Sequence, residues 1–145
     1  MILGLENIAV VAMLHLPVTN RQAPENAIVA SAAQIPSRWK PFQRCIVSRE
    51  SHGHIHSRNP RSSAQGKYQF LDHLWRASLG RQVAARLRHF GMSKAQADTV
   101  RARLQRIPIA DWPESYQDAA FAAVISQGNW RPWYQAGSPC NGYAR

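Results

Sequence analysis

The sequence predicts a mainly α-helical domain with a short loop or hairpin after its first core helix. Three observations carry that prediction. Apolar residues recur at helical spacing in successive windows from Trp39 to Gln127. Gly, Pro, Ser and Asn residues fall between those windows. No internal repeat or low-complexity tract is present, and 145 residues suffice for one domain with its own core.

From Met1 to about Pro36, Pro17, Pro24 and Pro36 interrupt the chain and no apolar period persists, so residues 1–36 read as an N-terminal arm. The run Ile8 to Leu16 is far shorter than the roughly 20 residues that span a bilayer as a helix, so no transmembrane span is expected there. It resembles a signal-peptide hydrophobic region, with Ala30-Ser31-Ala32 as a small-residue cleavage site. Met1 to Asn7 lacks Lys and Arg and carries Glu6, which favours an arm or terminal helix over a cleaved signal.

The next unit, residues 37–145, reads as the functional domain. Ser37 is placed to cap a helix ending at Arg49 or Glu50, with Trp39, Phe42, Cys45, Ile46, Arg49 and Glu50 on one face. Pro41 is tolerable within its first turn. Ser51 to Lys67 is polar and turn-rich. Phe70, Leu71, Leu74, Trp75 and Leu79 predict a second helix stopped by Gly80, and Val83, Ala84, Leu87 and Phe90 a third stopped by Gly91. Ser93 caps a fourth, whose inner face is Ala97, Val100, Leu104 and Ile107 and whose stop is Pro108. Asp111-Trp112-Pro113-Glu114 has the form of a capping box opening the last helix, through Tyr116, Ala119, Ala120, Ala123, Val124 and Gln127 to Gly128. An aromatic tail, Asn129 to Tyr134, leads to Cys140.

The formal charge is +10, from 18 Lys and Arg against 8 Asp and Glu. The partner is therefore anionic: nucleic acid, an acidic membrane surface and a carboxylate-rich bacterial wall all satisfy this. Arg76, Arg81, Arg86, Arg88, Arg101, Arg103 and Arg106 read as solvated helix faces. Cys45 and Cys140 are either bridged or buried thiols. No Cys-x-x-Cys or His/Cys cluster points to zinc, and no cofactor is implied.

Among the carboxylates, Glu50 stands apart. It closes an apolar helix face, and between Arg44 and Gly91 its only companion is Asp72. Asp98 falls on a polar face, Asp111 and Glu114 are explained as caps, and Asp118 has no apolar setting. A Glu beside Arg49 at a helix end is by itself more often a structural ion pair than a catalyst. The surrounding pattern decides otherwise. Cys45-Ile46-Val47-Ser48-Arg49-Glu50-Ser51-His52-Gly53-His54 is followed by Asn59-Pro60, then Ser62-Ser63-Ala64-Gln65-Gly66-Lys67-Tyr68-Gln69-Phe70-Leu71-Asp72 and Trp75. This compound pattern resembles the active-site half of the transglycosylase-like family of the lysozyme superfamily, which includes the resuscitation-promoting factors and many phage wall lysins. Gln127-Gly128-Asn129-Trp130, Pro132-Trp133 and Cys140 resemble the family's closing segment.

The resemblance implies a lysozyme-like fold, mainly α, with the loop or hairpin beside the catalytic helix. It implies peptidoglycan glycan strands as partner, with no nucleic acid expected, and cleavage of the β-1,4 bond between N-acetylmuramic acid and N-acetylglucosamine. Glu50 becomes the acid/base, which must stay protonated near neutral pH and so should face a core rather than bulk water. Ser63, Ala64, Gly66, Tyr68 and Gln69 fall along the sugar groove, Gly66 letting the backbone approach the glycan and Gln69 bonding a sugar hydroxyl or N-acetyl group. His52, Asn129 and Trp130 are further substrate contacts, and Cys45 pairs with Cys140. Phe70, Trp75 and Trp112 read as core. The His52-Gly53-His54-Ile55-His56 run departs from the family and reads as an exposed loop rather than a metal site. Lytic transglycosylation is favoured over a hydrolytic lysozyme, for which Asp72 is the nearest second carboxylate. The setting is extracellular, at the cell wall, or in a phage virion. A nucleic-acid-binding protein and an inactive wall-binding module are the rivals.

Overall fold

The computed structural model describes residues 22–144, so the apolar run at Ile8 to Leu16 lies outside the described residues. The chain is mainly helical: α1 (Gln22–Ala32), α2 (Lys40–Glu50), a hairpin of β1 (Ala64–Gln65) and β2 (Phe70–Leu71), α3 (Asp72–His89), α4 (Lys94–Arg106) and α5 (Glu114–Ser126). Short 3-10 turns at Ser37–Trp39, Ile109–Asp111, Arg131–Trp133 and Pro139–Ala144 complete it. The strands pair antiparallel, Ala64 opposite Leu71 and Gln65 opposite Phe70. Among the described residues no helix is long and apolar enough to cross a membrane.

The core is built around α5, whose Ala119, Ala120, Phe121 and Ala122 are all fully buried. A helix apolar on every side must be enclosed, and its alanines let α1 and α3 pack closely. Phe121 stacks on Tyr68 with ring centroids 4.3 Å apart and meets Trp133 at 4.8 Å. Phe70 reaches Trp133 at 5.3 Å. Phe70 and Trp112 are buried and Trp75 half-buried. A disulfide between Cys45 and Cys140 ties α2 to the C-terminal 3-10 turn.

Several sequence readings are corrected. Of the two forms read for residues 1–36, an arm or a terminal helix, the described part contains a helix, α1, whose Val29 and Ala32 join the core and whose C-terminus is closed by Arg86, with Nε donating to Ala32 O at 2.6 Å. Ala30-Ser31-Ala32 is thus helical and partly buried, unlike an extended cleavage site. Gly80 does not stop a helix: α3 runs through it, because a Cβ there would lie 2.9 Å from Gln105 Cγ and the glycine serves close packing on α4. Gly91 is the true end. Its φ is +100°, Met92 N–H donates to Leu87 O and Gly91 N–H to Arg88 O, both at 3.0 Å, the Schellman pattern.

Caps follow the same mixed course. Ser93 and Gln96 form the reciprocal capping box on α4. Ser37 makes no side-chain cap, since a 3-10 turn precedes α2. Asp111 caps nothing either. The N-cap of α5 is Pro113, and Asp111 is turned outward to Arg58 at 2.7 Å. Four of the supposedly solvated arginines are also engaged: Arg76 with Asp72, Arg86 with α1, Arg103 with the Tyr116 hydroxyl and, at the surface, Arg101 with Asp98.

Candidate active site

Glu50 is the last residue of α2 and its side chain is 25% exposed, so it faces neither an apolar core nor open solvent. The expectation of burial fails for a local reason: the helix ends here and the apolar face ends with it. Its neighbour Arg49 donates through Nε at 2.9 Å and also through Nη2, both to Oε1. Oε2 has no hydrogen-bond partner among the described residues. Arg49 is held in turn, Nη1 donating to Ser138 Oγ and Nη2 to Trp133 O, each at 2.8 Å. One guanidinium therefore links the end of α2, the carboxylate and the aromatic tail.

The other carboxylates are committed elsewhere. Asp72 is buried, bound by Arg76 and by Ile109 N–H at 2.8 Å. Burial pushes its carboxyl up, but the hydrogen bonds from Arg76 and Ile109 and the charges of Arg76 and Arg58 outweigh this and hold it below the usual carboxylate range. Asp118 accepts from Tyr68 Oη at 2.5 Å and Lys67 Nζ at 2.9 Å, and Lys67 also reaches Glu114 at 2.8 Å. Burial, then the charge and hydrogen bond of Asp118, push the Tyr68 hydroxyl far up, so it stays protonated. Burial pulls the Lys67 ammonium down, yet its bonds and attraction to Glu114 and Asp118 leave it raised.

A cleft of about 470 Å³ runs beside α2, lined by Gln43, Arg44, Val47, Ser48, His52, Gly53 and Lys67. Of the predicted contacts only His52 lines it, in a left-handed conformation with φ +52°. Tyr68 is fully buried rather than groove-lining, and Ala64 is buried in β1. Gly66 is buried with φ +79°, and a Cβ there would meet Gln117 Oε1 at 2.5 Å, so close packing on Gln117 requires a glycine. Gln69 is half-buried, its amide donating to Gly66 O at 2.9 Å. Ser63 Oγ meets His73 Nδ1. Asn129 is exposed past the end of α5, and Trp130 packs on Phe42 and Tyr134.

The histidine run does not act as a unit. His52, His54 and His56 are all exposed, and only His56 makes a ring hydrogen bond among the described residues, Nδ1 donating to Ala110 O at 2.7 Å. Among the described residues no group of His, Cys, Asp or Glu is arranged to hold a metal ion. The sequence did not single out Gln43, Arg44 or Lys67, which line the cleft, and Asp118, set aside there, proves to hold Tyr68 and Lys67. A signal existed for the first: Gln43 and Val47 stand seven and three residues before Glu50 and so share its helix face.

Over 91 residues, 63% of its length, the chain is 36% identical to proteins named probable transglycosylase SceD from Staphylococcus aureus, in strains Newman, Mu3 / ATCC 700698 and USA300. The match covers 30% of each of those proteins, so the chain spans well under half the length of the curated relatives it matches. No family model matches the chain, and no solved structure does.

Proposed function

We propose that the chain carries a peptidoglycan-cleaving domain of the transglycosylase-like kind, acting at the cell wall or elsewhere outside the cell. The scissile bond is the β-1,4 linkage from N-acetylmuramic acid to N-acetylglucosamine. Glu50 delivers a proton from Oε2 to the departing oxygen, the muramyl ring passes through an oxocarbenium-like state, and Glu50 then takes the proton of that sugar's own 6-hydroxyl as its oxygen closes on C1. Atoms balance without water, and a 1,6-anhydro end results.

One observation carries the reading: Glu50 ends α2 with one oxygen fixed by Arg49 and the other free, while Asp72 is spent on Arg76 and the Ile109 N–H. A retaining or inverting hydrolase needs a second carboxylate across the bond. Asp72 is poorly suited to that part, which favours internal trapping over hydrolysis. The likeness to proteins named probable transglycosylase points the same way. The extracellular setting agrees with the Cys45–Cys140 bridge, since disulfides persist mainly in oxidising compartments.

Zymography on purified peptidoglycan tests the assignment. Wild type should clear the gel, and Glu50→Gln, which keeps shape but not the proton, should clear it roughly 10²–10⁴-fold more slowly. Equal clearing by both would remove Glu50 from its role. Clearing by neither would leave a wall-binding module.

A further inference from the structure

We propose that the cleft beside α2 is a subsite for the anionic arm of the substrate, the lactyl-peptide stem of N-acetylmuramic acid, with Arg44 as the charge anchor and Gln43 as the amide acceptor. The inference rests on the peptidoglycan reading above and goes beyond it in assigning these residues and this part of the substrate.

Charge is the first support. No carboxylate lines the cleft, whereas Arg44, Lys67 and His52 do. Lys67 is neutralised by Glu114 and Asp118. Arg44 has no ion pair or hydrogen bond to another side chain among the described residues, so its guanidinium is the charge on offer, and its planar fork matches a carboxylate.

The second support is a forced hydrogen-bond direction. An ionised Asp118 can only accept, so the Tyr68 hydroxyl must donate to it, and Gln43 Nε2 must then donate to the Tyr68 oxygen, as its 2.7 Å contact allows. That chain fixes which end of the Gln43 amide is occupied and leaves its carbonyl oxygen as an acceptor for an N–H. A cation and an amide acceptor on adjacent residues suit a peptide carrying both a carboxylate and N–H groups. Val47 supplies an apolar patch and Ser48 a hydroxyl between them.

Position is the third support. Glu50 does not itself line the cleft, but Gln43 and Val47, which do, stand seven and three residues before it and share its helix face, so the cleft runs along the helix that ends at Glu50. His52, two residues past Glu50 in the chain, also lines the cleft.

The test compares two soluble probes on the full chain carrying Glu50→Gln: the disaccharide bearing its lactyl-tripeptide, and the same disaccharide stripped of peptide and with the lactyl carboxyl amidated. Titration calorimetry should show the peptide-bearing probe binding about tenfold more tightly. Adding Arg44→Gln should bring that ratio close to one, and Arg44→Lys should retain part of it; circular dichroism of each variant verifies folding. Equal binding of the two probes, or a ratio untouched by Arg44→Gln, would overturn the subsite. The two readings fail separately. Wild-type clearing of peptidoglycan with no probe preference sinks only the subsite, whereas a preserved preference without any clearing sinks only the cleavage assignment.

Discussion

At the scale of single residues, Gln117 shows how a side chain absent from every motif can position a site. It is 1% exposed, its Oε1 accepts from Lys67 N–H at 2.7 Å, and its Nε2 donates to Ile55 O at 3.0 Å and Trp112 O at 2.9 Å. One amide from α5 thus pins both ends of the loop that follows Glu50. Gln117→Leu would leave these buried backbone groups unpaired, for a loss of about 3 kcal/mol, readable by urea denaturation. Asp72 makes a second residue-scale prediction. Its carboxyl is held below the usual range, so its stabilisation is complete above the unfolded value of about 3.9 and vanishes as pH falls through the lower folded value. Wild type should therefore lose stability on acidification below about pH 4, and Asp72→Asn, already less stable at neutral pH, should lose less over the same window in thermal melts. Glu50 was legible in the sequence as the candidate acid because so few carboxylates compete with it. Tyr68, Gly66 and Asp118 were not, since only the folded chain shows that Tyr68 points at Phe121 and Asp118 rather than outward.

At the scale of elements, legibility followed local chemistry. The cap at Ser93 and the positive-φ stop at Gly91 are set by a few consecutive residues, and both appear as the sequence reads, Gln96 completing the cap as a box. Gly80 misled because a glycine that ends a helix and one that admits a neighbouring helix look identical in one dimension. Helix α1 could not be told from an arm in the sequence because it is short and flanked by prolines, while the elements it packs on, α3 and α5, lie far along the chain. On this arrangement the folding unit includes α1, and removing residues 1–32 should uncover apolar surface on both partners. The shortened chain should melt at least several degrees lower and bind a hydrophobic dye such as ANS. A melting temperature equal to that of the full chain would show that α1 adds nothing.

At the scale of the whole molecule, two links tie α2 to the C-terminal tail: the Arg49 bonds to Ser138 and Trp133 and the Cys45–Cys140 bridge, which closes a separation of 95 residues. Reducing the bridge should cost about 2–5 kcal/mol. Melting with and without reductant checks this, and modification of both cysteines in the native, unreduced protein would contradict the bridge. With +10 charges on 145 residues, attachment to an anionic wall should also weaken as salt rises. Glu50 is proposed above to cut the glycan by internal trapping. Mass spectrometry of the soluble fragments released from purified sacculi tests it most directly. Wild type should release 1,6-anhydromuramyl ends and Glu50→Gln almost none; predominantly reducing ends, or the same fragments at the same rate from both proteins, would rule internal trapping by Glu50 out.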